Sequence, residues 1–85
     1  MHKLIIKSSA EKALAHLPHN AYLAVKKRIL RLRDEPRPHG VKKLKDNVTW
    51  RIRVGDYRVV YTIDDREEIV RIVTVGHRQS VYEHL

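Results

Sequence analysis

At 85 residues and a formal net charge of +8, the chain has the size of one domain with a modest core, and its charge favours a polyanionic partner: nucleic acid first, an acidic protein or membrane surface after it. The absence of cysteine excludes a disulfide framework and thiolate chemistry, and the six histidines are scattered without metal-binding spacing. No apolar run could cross a bilayer and the N-terminus lacks the hydrophobic core and cleavage site of a signal peptide, so a soluble cytoplasmic protein is expected, with no Gly-rich phosphate loop, repeat or low-complexity tract.

Lys3-Leu4-Ile5-Ile6-Lys7 suits a short strand. Ser8-Ser9-Ala10-Glu11 has capping-box spacing and predicts a helix start, with Ala10, Ala13, Leu14 and Leu17 on one face. Pro18 stops this helix after about two turns. Asn20 is the expected N-cap of a longer helix ending near Asp34, with Tyr22, Val25, Ile29 and Leu32 as its apolar stripe. Its other side carries Lys26, Lys27, Arg28, Arg31 and Arg33, either a solvated face or a second contact surface for a nucleic-acid backbone. Pro36-Arg37-Pro38-His39-Gly40 reads as a connector, and Val41 to Lys45 as a short edge strand or irregular basic segment, with Lys42, Lys43 and Lys45 exposed.

The centre of the sequence is Trp50-Arg51-Ile52-Arg53-Val54-Gly55-Asp56-Tyr57-Arg58-Val59-Val60-Tyr61, two strands joined at Gly55-Asp56. With a two-residue turn, Val54 faces Tyr57, Arg53 faces Arg58, and Arg51, Arg53 and Arg58 share one face of the sheet. Like charges placed opposite each other destabilise a strand pair, and such local conflicts concentrate at functional sites. Arginine, with a planar fork of donors and a permanent charge, suits a phosphate there. Trp50, Tyr57 and Tyr61 alternate with the arginines and are expected in the core. Asp64 to Glu68 is a polar turn and Ile69 to Val75 the most β-prone stretch, a central strand. A two-residue turn at Asp65-Arg66 would face Arg78 away from Arg58, whereas an odd-length loop or a bulge at Gly76 would bring it to the same face. The fold class is α+β: two N-terminal helices on one face of a small, mainly antiparallel twisted sheet, with the basic residues on the other.

The hairpin, the apolar strand after it and the closing Val-Gly-His-Arg-Gln-Ser-Val-Tyr of residues 75–82 resemble the RelE/ParE superfamily of toxin–antitoxin toxins, on its RelE side. The resemblance implies a single RelE-like domain over residues 1–85 that cleaves mRNA in the ribosomal A site and is held inactive by a RelB-like antitoxin. It implies neither metal nor cofactor: the RNA 2′-hydroxyl attacks the adjacent phosphate, leaving a 2′,3′-cyclic phosphate and a 5′-hydroxyl. Carried over by position, Arg58 and Arg78 are the phosphate clamps, and Tyr82 stacks on a base or orients the 2′-hydroxyl. Arg51 and Arg53, with Lys43 and Lys45, contact the RNA backbone. RelE has lysines where Arg51 and Arg53 stand here, and an arginine is no base. His77 is therefore the candidate base, with His84 second. The alternatives are a ParE-like gyrase poison acting by protein–protein contact and an inactive RNA-binding relative.

Overall fold

Apolar strands alternating with buried positions build one sheet in the computed structural model, which describes residues 1–46 and 48–77. In chain order the elements are β1 (Lys3–Ile6), α1 (Ser8–Ala15), α2 (His19–Arg31), β2 (Lys42–Lys43), β3 (Thr49–Val54), β4 (Tyr57–Asp64) and β5 (Ile69–His77). The strands lie in the order β1-β5-β4-β3-β2. β1 runs parallel to β5, and every other neighbouring pair is antiparallel.

Both helices pack on one face. Ala10 and Leu14 of α1 and Val25 and Ile29 of α2, with Leu32 just beyond, meet Ile52, Val59, Tyr61, Ile63, Val70, Ile72 and Val75 of the sheet. Trp50 and Tyr57 pack against this core and Tyr61 is wholly buried in it, as their alternation with the arginines predicts. The Tyr61 hydroxyl donates to the Pro36 carbonyl at 2.6 Å, tying the connector after α2 to the sheet centre. Burial pushes its phenol pKa up, only partly offset by Arg37 and Arg28.

Two sequence expectations are corrected. The capping box does not form: Lys7 is the N-cap of α1 without a side-chain bond, and its carbonyl accepts the first helical hydrogen bond from Glu11 at 2.9 Å. The next residue's hydroxyl, that of Ser9, donates to the Val73 carbonyl of β5 at 3.0 Å. The second helix starts before Asn20, because the extended Pro18 is its N-cap and the Pro18 carbonyl accepts from the Tyr22 amide at 2.8 Å. Its regular part ends at Arg31, where bonds from Leu32, Arg33 and Asp34 to carbonyls three residues back tighten the last turn ahead of Pro36.

The register between β4 and β5, which the sequence leaves open, is resolved by a bulge. β4 and β5 are joined by the four residues 65–68, with Asp64 opposite Ile69, and pairing proceeds to Tyr61 opposite Ile72. It then slips by one, so Val60 faces Thr74 and Arg58 faces Gly76. The extra residue is Val73, so the bulge sits there and not at Gly76, and the carbonyl it turns out of the ladder is the one Ser9 binds.

Candidate active site

Gly55 alone takes a positive φ in the β3–β4 turn, +60°, the pattern of a II′ turn with glycine first. The turn has two residues, and Val54 faces Tyr57 and Arg53 faces Arg58 as expected from the sequence. Because Ile52 and Val59 point to the helices, the pleat sends Arg51, Arg53 and Arg58 to the opposite face. There they line a cavity of about 150 Å³ together with Gly40 and Lys42. The hairpin backbone orients two of the guanidinium groups: Arg53 Nε donates to the Gly55 carbonyl at 3.2 Å, and Arg58 Nη1 to the Tyr57 carbonyl at 3.3 Å. Arg58 is the most enclosed of the three, at 9% exposure, whereas Arg53 is exposed.

The connector builds the remaining wall. The Val41 amide donates to the Pro38 carbonyl at 3.1 Å, closing a turn in which Gly40 has φ +88°, a value that favours glycine at the third turn position. This turn delivers β2 to the edge beside β3, with Lys42 opposite Arg51 and Lys43 opposite Trp50. Opposed residues share a face, so the two neighbouring lysines part: Lys42 joins the arginines, and the Lys43 amine stands 5.6 Å from the Trp50 ring centre. Arg37 lies over the same indole at 4.9 Å and makes a two-pronged ion pair with Asp65, at 3.1 and 2.7 Å. After β2, the Asp46 carboxylate accepts from the Thr49 hydroxyl and from the Thr49 and Val48 amides, and these bonds, the hydroxyl's first, hold its pKa below the usual value.

The structure thus brings together Arg51, Arg53 and Arg58 and sets other predicted residues apart. Lys43 turns to Trp50, and Lys45 is exposed and does not line the cavity. His77 is opposite Tyr57, meeting its ring edge-on with centres 6.0 Å apart, on the face that packs against the helices. The site face at that level is represented by Gly76, opposite Arg58. Arg78, Tyr82 and His84 lie outside the described residues. Lys42 is the lining residue that the sequence reading left among the edge charges. Its signal was alternation, legible only once the register across residues 44–49 is known. Three guanidinium groups and one amine around a small cavity offer the charge and donors that suit a phosphate or another compact oxyanion. Among the described residues, no group of three or more His, Asp or Glu side chains is placed to hold a metal ion, and no helix is long and apolar enough to cross a membrane.

A family model for the ParE toxin of the type II toxin–antitoxin system parDE matches residues 4–82. Among solved structures, the toxin–antitoxin complex RelBE2 of Mycobacterium tuberculosis contains a chain 31% identical with a TM-score of 0.79, the match covering 91% of this chain and 98% of that one. The archaeal RelE–RelB complex of Pyrococcus horikoshii OT3 gives 29% identity and a TM-score of 0.82, over 91% and 94% of the two chains. The isolated Escherichia coli RelE toxin gives 25% identity and a TM-score of 0.79, over 99% and 94%. No curated protein sequence matches significantly. The chain belongs to the RelE/ParE superfamily of type II toxin–antitoxin toxins.

Proposed function

We propose that this toxin is a ribosome-dependent mRNA endonuclease. The observation that carries the reading is the convergence of Arg51, Arg53 and Arg58 on one cavity of about 150 Å³, on the face the helices leave open. In the proposed reaction the 2′-hydroxyl oxygen of the A-site mRNA bonds to the adjacent phosphorus as the bond to O5′ breaks, giving a 2′,3′-cyclic phosphate and a 5′-hydroxyl. Negative charge grows on the phosphoryl oxygens during this step, and fixed guanidinium donors stabilise it without losing a proton. Arg58, enclosed and held by the Tyr57 carbonyl, grips the scissile phosphate. Arg51 and Arg53 hold it and the neighbouring backbone, with Lys45 further along the strand. Arg78 and Tyr82 keep the roles of second clamp and base-stacking or 2′-hydroxyl-orienting aromatic that the family resemblance gives them. His77, the base expected from the sequence, lies beside Tyr57 on the face of the sheet opposite the arginine cavity.

The partner in the resting cell is a cognate, RelB-like antitoxin, a reading supported by the relatives solved as toxin–antitoxin complexes. An acidic antitoxin segment would cover the basic face, and the toxin would act in the cytoplasm, where ribosomes translate. A second reading, a gyrase poison working by protein–protein contact, is favoured by one observation: the matching family model is that of a ParE toxin. Controlled expression separates the two. The endonuclease reading expects ribosome-dependent mRNA cuts within minutes, before any change in plasmid supercoiling. Growth arrest with intact mRNA and altered supercoiling would replace it with the gyrase reading.

A further inference from the structure

Attack by a 2′-hydroxyl needs a group that accepts its proton, and an arginine is not one. Among the described residues, three of the five that line the cavity are arginines, and Gly40 offers only backbone. Among the described residues, Lys42 is the one lining residue whose side chain has a neutral, basic form. Its placement follows from the strand pairing: Lys42 lies directly opposite Arg51 on β2, where opposed Cβ atoms are about 4.5–5.5 Å apart, and a four-carbon stem carries the amine across so short a gap. Of the described candidates, Lys43 lies over Trp50 and His77 against Tyr57, both on the other face of the sheet.

We propose that Lys42 is the catalytic proton acceptor, supplied from the edge strand in place of the basic side chain that Arg51 and Arg53 cannot provide. The inference rests on the endonuclease reading. The neutral Nζ takes the proton from O2′ as the O2′–P bond forms and the P–O5′ bond breaks. The departing O5′ is protonated by water, and the lysine ammonium returns its proton to the hydroxide so formed.

The test is single-turnover cleavage of mRNA on programmed ribosomes across a range of pH, with the wild-type protein, Lys42→Arg and Lys42→Met. Lys42 is exposed on a two-residue edge strand, and thermal unfolding of each variant checks that folding is intact. The wild-type rate should rise with pH and level off. Lys42→Arg, which keeps the positive charge, should lose about 100-fold or more in rate with ribosome affinity retained, and should lose the inflection in the pH profile. Because the chain has no cysteine, a Lys42→Cys protein can be aminoethylated at that position alone. This should restore cleavage with the inflection moved to lower pH, since the thioether makes the amine a weaker base. Wild-type rate and profile in Lys42→Arg would overturn the inference, as would an active Lys42→Arg beside an inactive Lys42→Met, which marks a cation and no base. Absence of cleavage by the wild-type protein would instead overturn the endonuclease reading, and this inference with it.

Discussion

At the scale of single residues, what distinguishes Arg58 from the other basic residues is enclosure. Most of the 18 lysines and arginines contribute to a general positive field, but Arg58 is 9% exposed in the middle of the sheet. Enclosing a guanidinium costs free energy unless its donors find acceptors; Nη1 donates to the Tyr57 carbonyl at 3.3 Å, and on the endonuclease reading the scissile phosphate is a further acceptor. Tyr61 is the structural counterpart on the other face. Its hydroxyl is the anchor for the Pro36 carbonyl, so Tyr61→Phe should lower unfolding free energy by about 1–3 kcal/mol, read as a shift of the urea midpoint at unchanged slope. The core role of Tyr61 and the shared face of the three arginines were legible from alternation alone. The separation of Lys42 from Lys43 was not: the sides they take depend on the length of the loop before β3, which no local pattern specifies.

At the scale of elements, turns decide the geometry. The β3–β4 hairpin followed from Gly55-Asp56 because a glycine at the first turn position satisfies the required positive φ. The β4–β5 register did not follow, because a four-residue loop and a bulge at Val73 both contribute to it, and the bulge is stabilised from a distant helix by Ser9. The first helix starts at Ser8 as expected but without capping-box bonds, and the second starts early because Pro18 pre-empts Asn20 as the cap. Glu68 closes the β4–β5 loop at φ +57°, a conformation that costs an L-residue roughly 1–2 kcal/mol. Glu68→Gly should therefore raise stability by up to about 1 kcal/mol after the glycine's greater unfolded-state entropy is counted, measurable by thermal unfolding. Two loop carboxyls contribute to the acid limit. The Thr49 bonds hold Asp46 below the usual carboxylate range, and the Arg37 hydrogen bond does the same for Asp65. A depressed carboxyl contributes stability that is complete above its unfolded pKa, about 4, and is lost as pH falls through the folded value. Unfolding midpoints should be flat above about pH 5 and decline below about pH 4. Asp46→Asn with Asp65→Asn should flatten that decline.

At the scale of the molecule, the sheet separates two tasks. One face buries the apolar stripes of α1 and α2, and the other gathers positive charge around a cavity. The net charge of +8 adds long-range attraction to a polyanion, so affinity for a vacant ribosome should fall steeply with salt, with log K linear in log salt concentration. The α+β layering was legible because helix and strand periodicities are strong here and the apolar positions fall on one side of each element. Wild-type toxin and Arg58→Ala, each incubated with ribosomes programmed by one defined mRNA and followed by end-group analysis of the fragments, test the central claim most directly. The account predicts ribosome-dependent cutting that leaves a 2′,3′-cyclic phosphate and a 5′-hydroxyl, slowed about 100-fold or more in Arg58→Ala at unchanged ribosome affinity. Cleavage at equal rates by both proteins, or intact mRNA under a wild-type protein that still arrests growth, would contradict it.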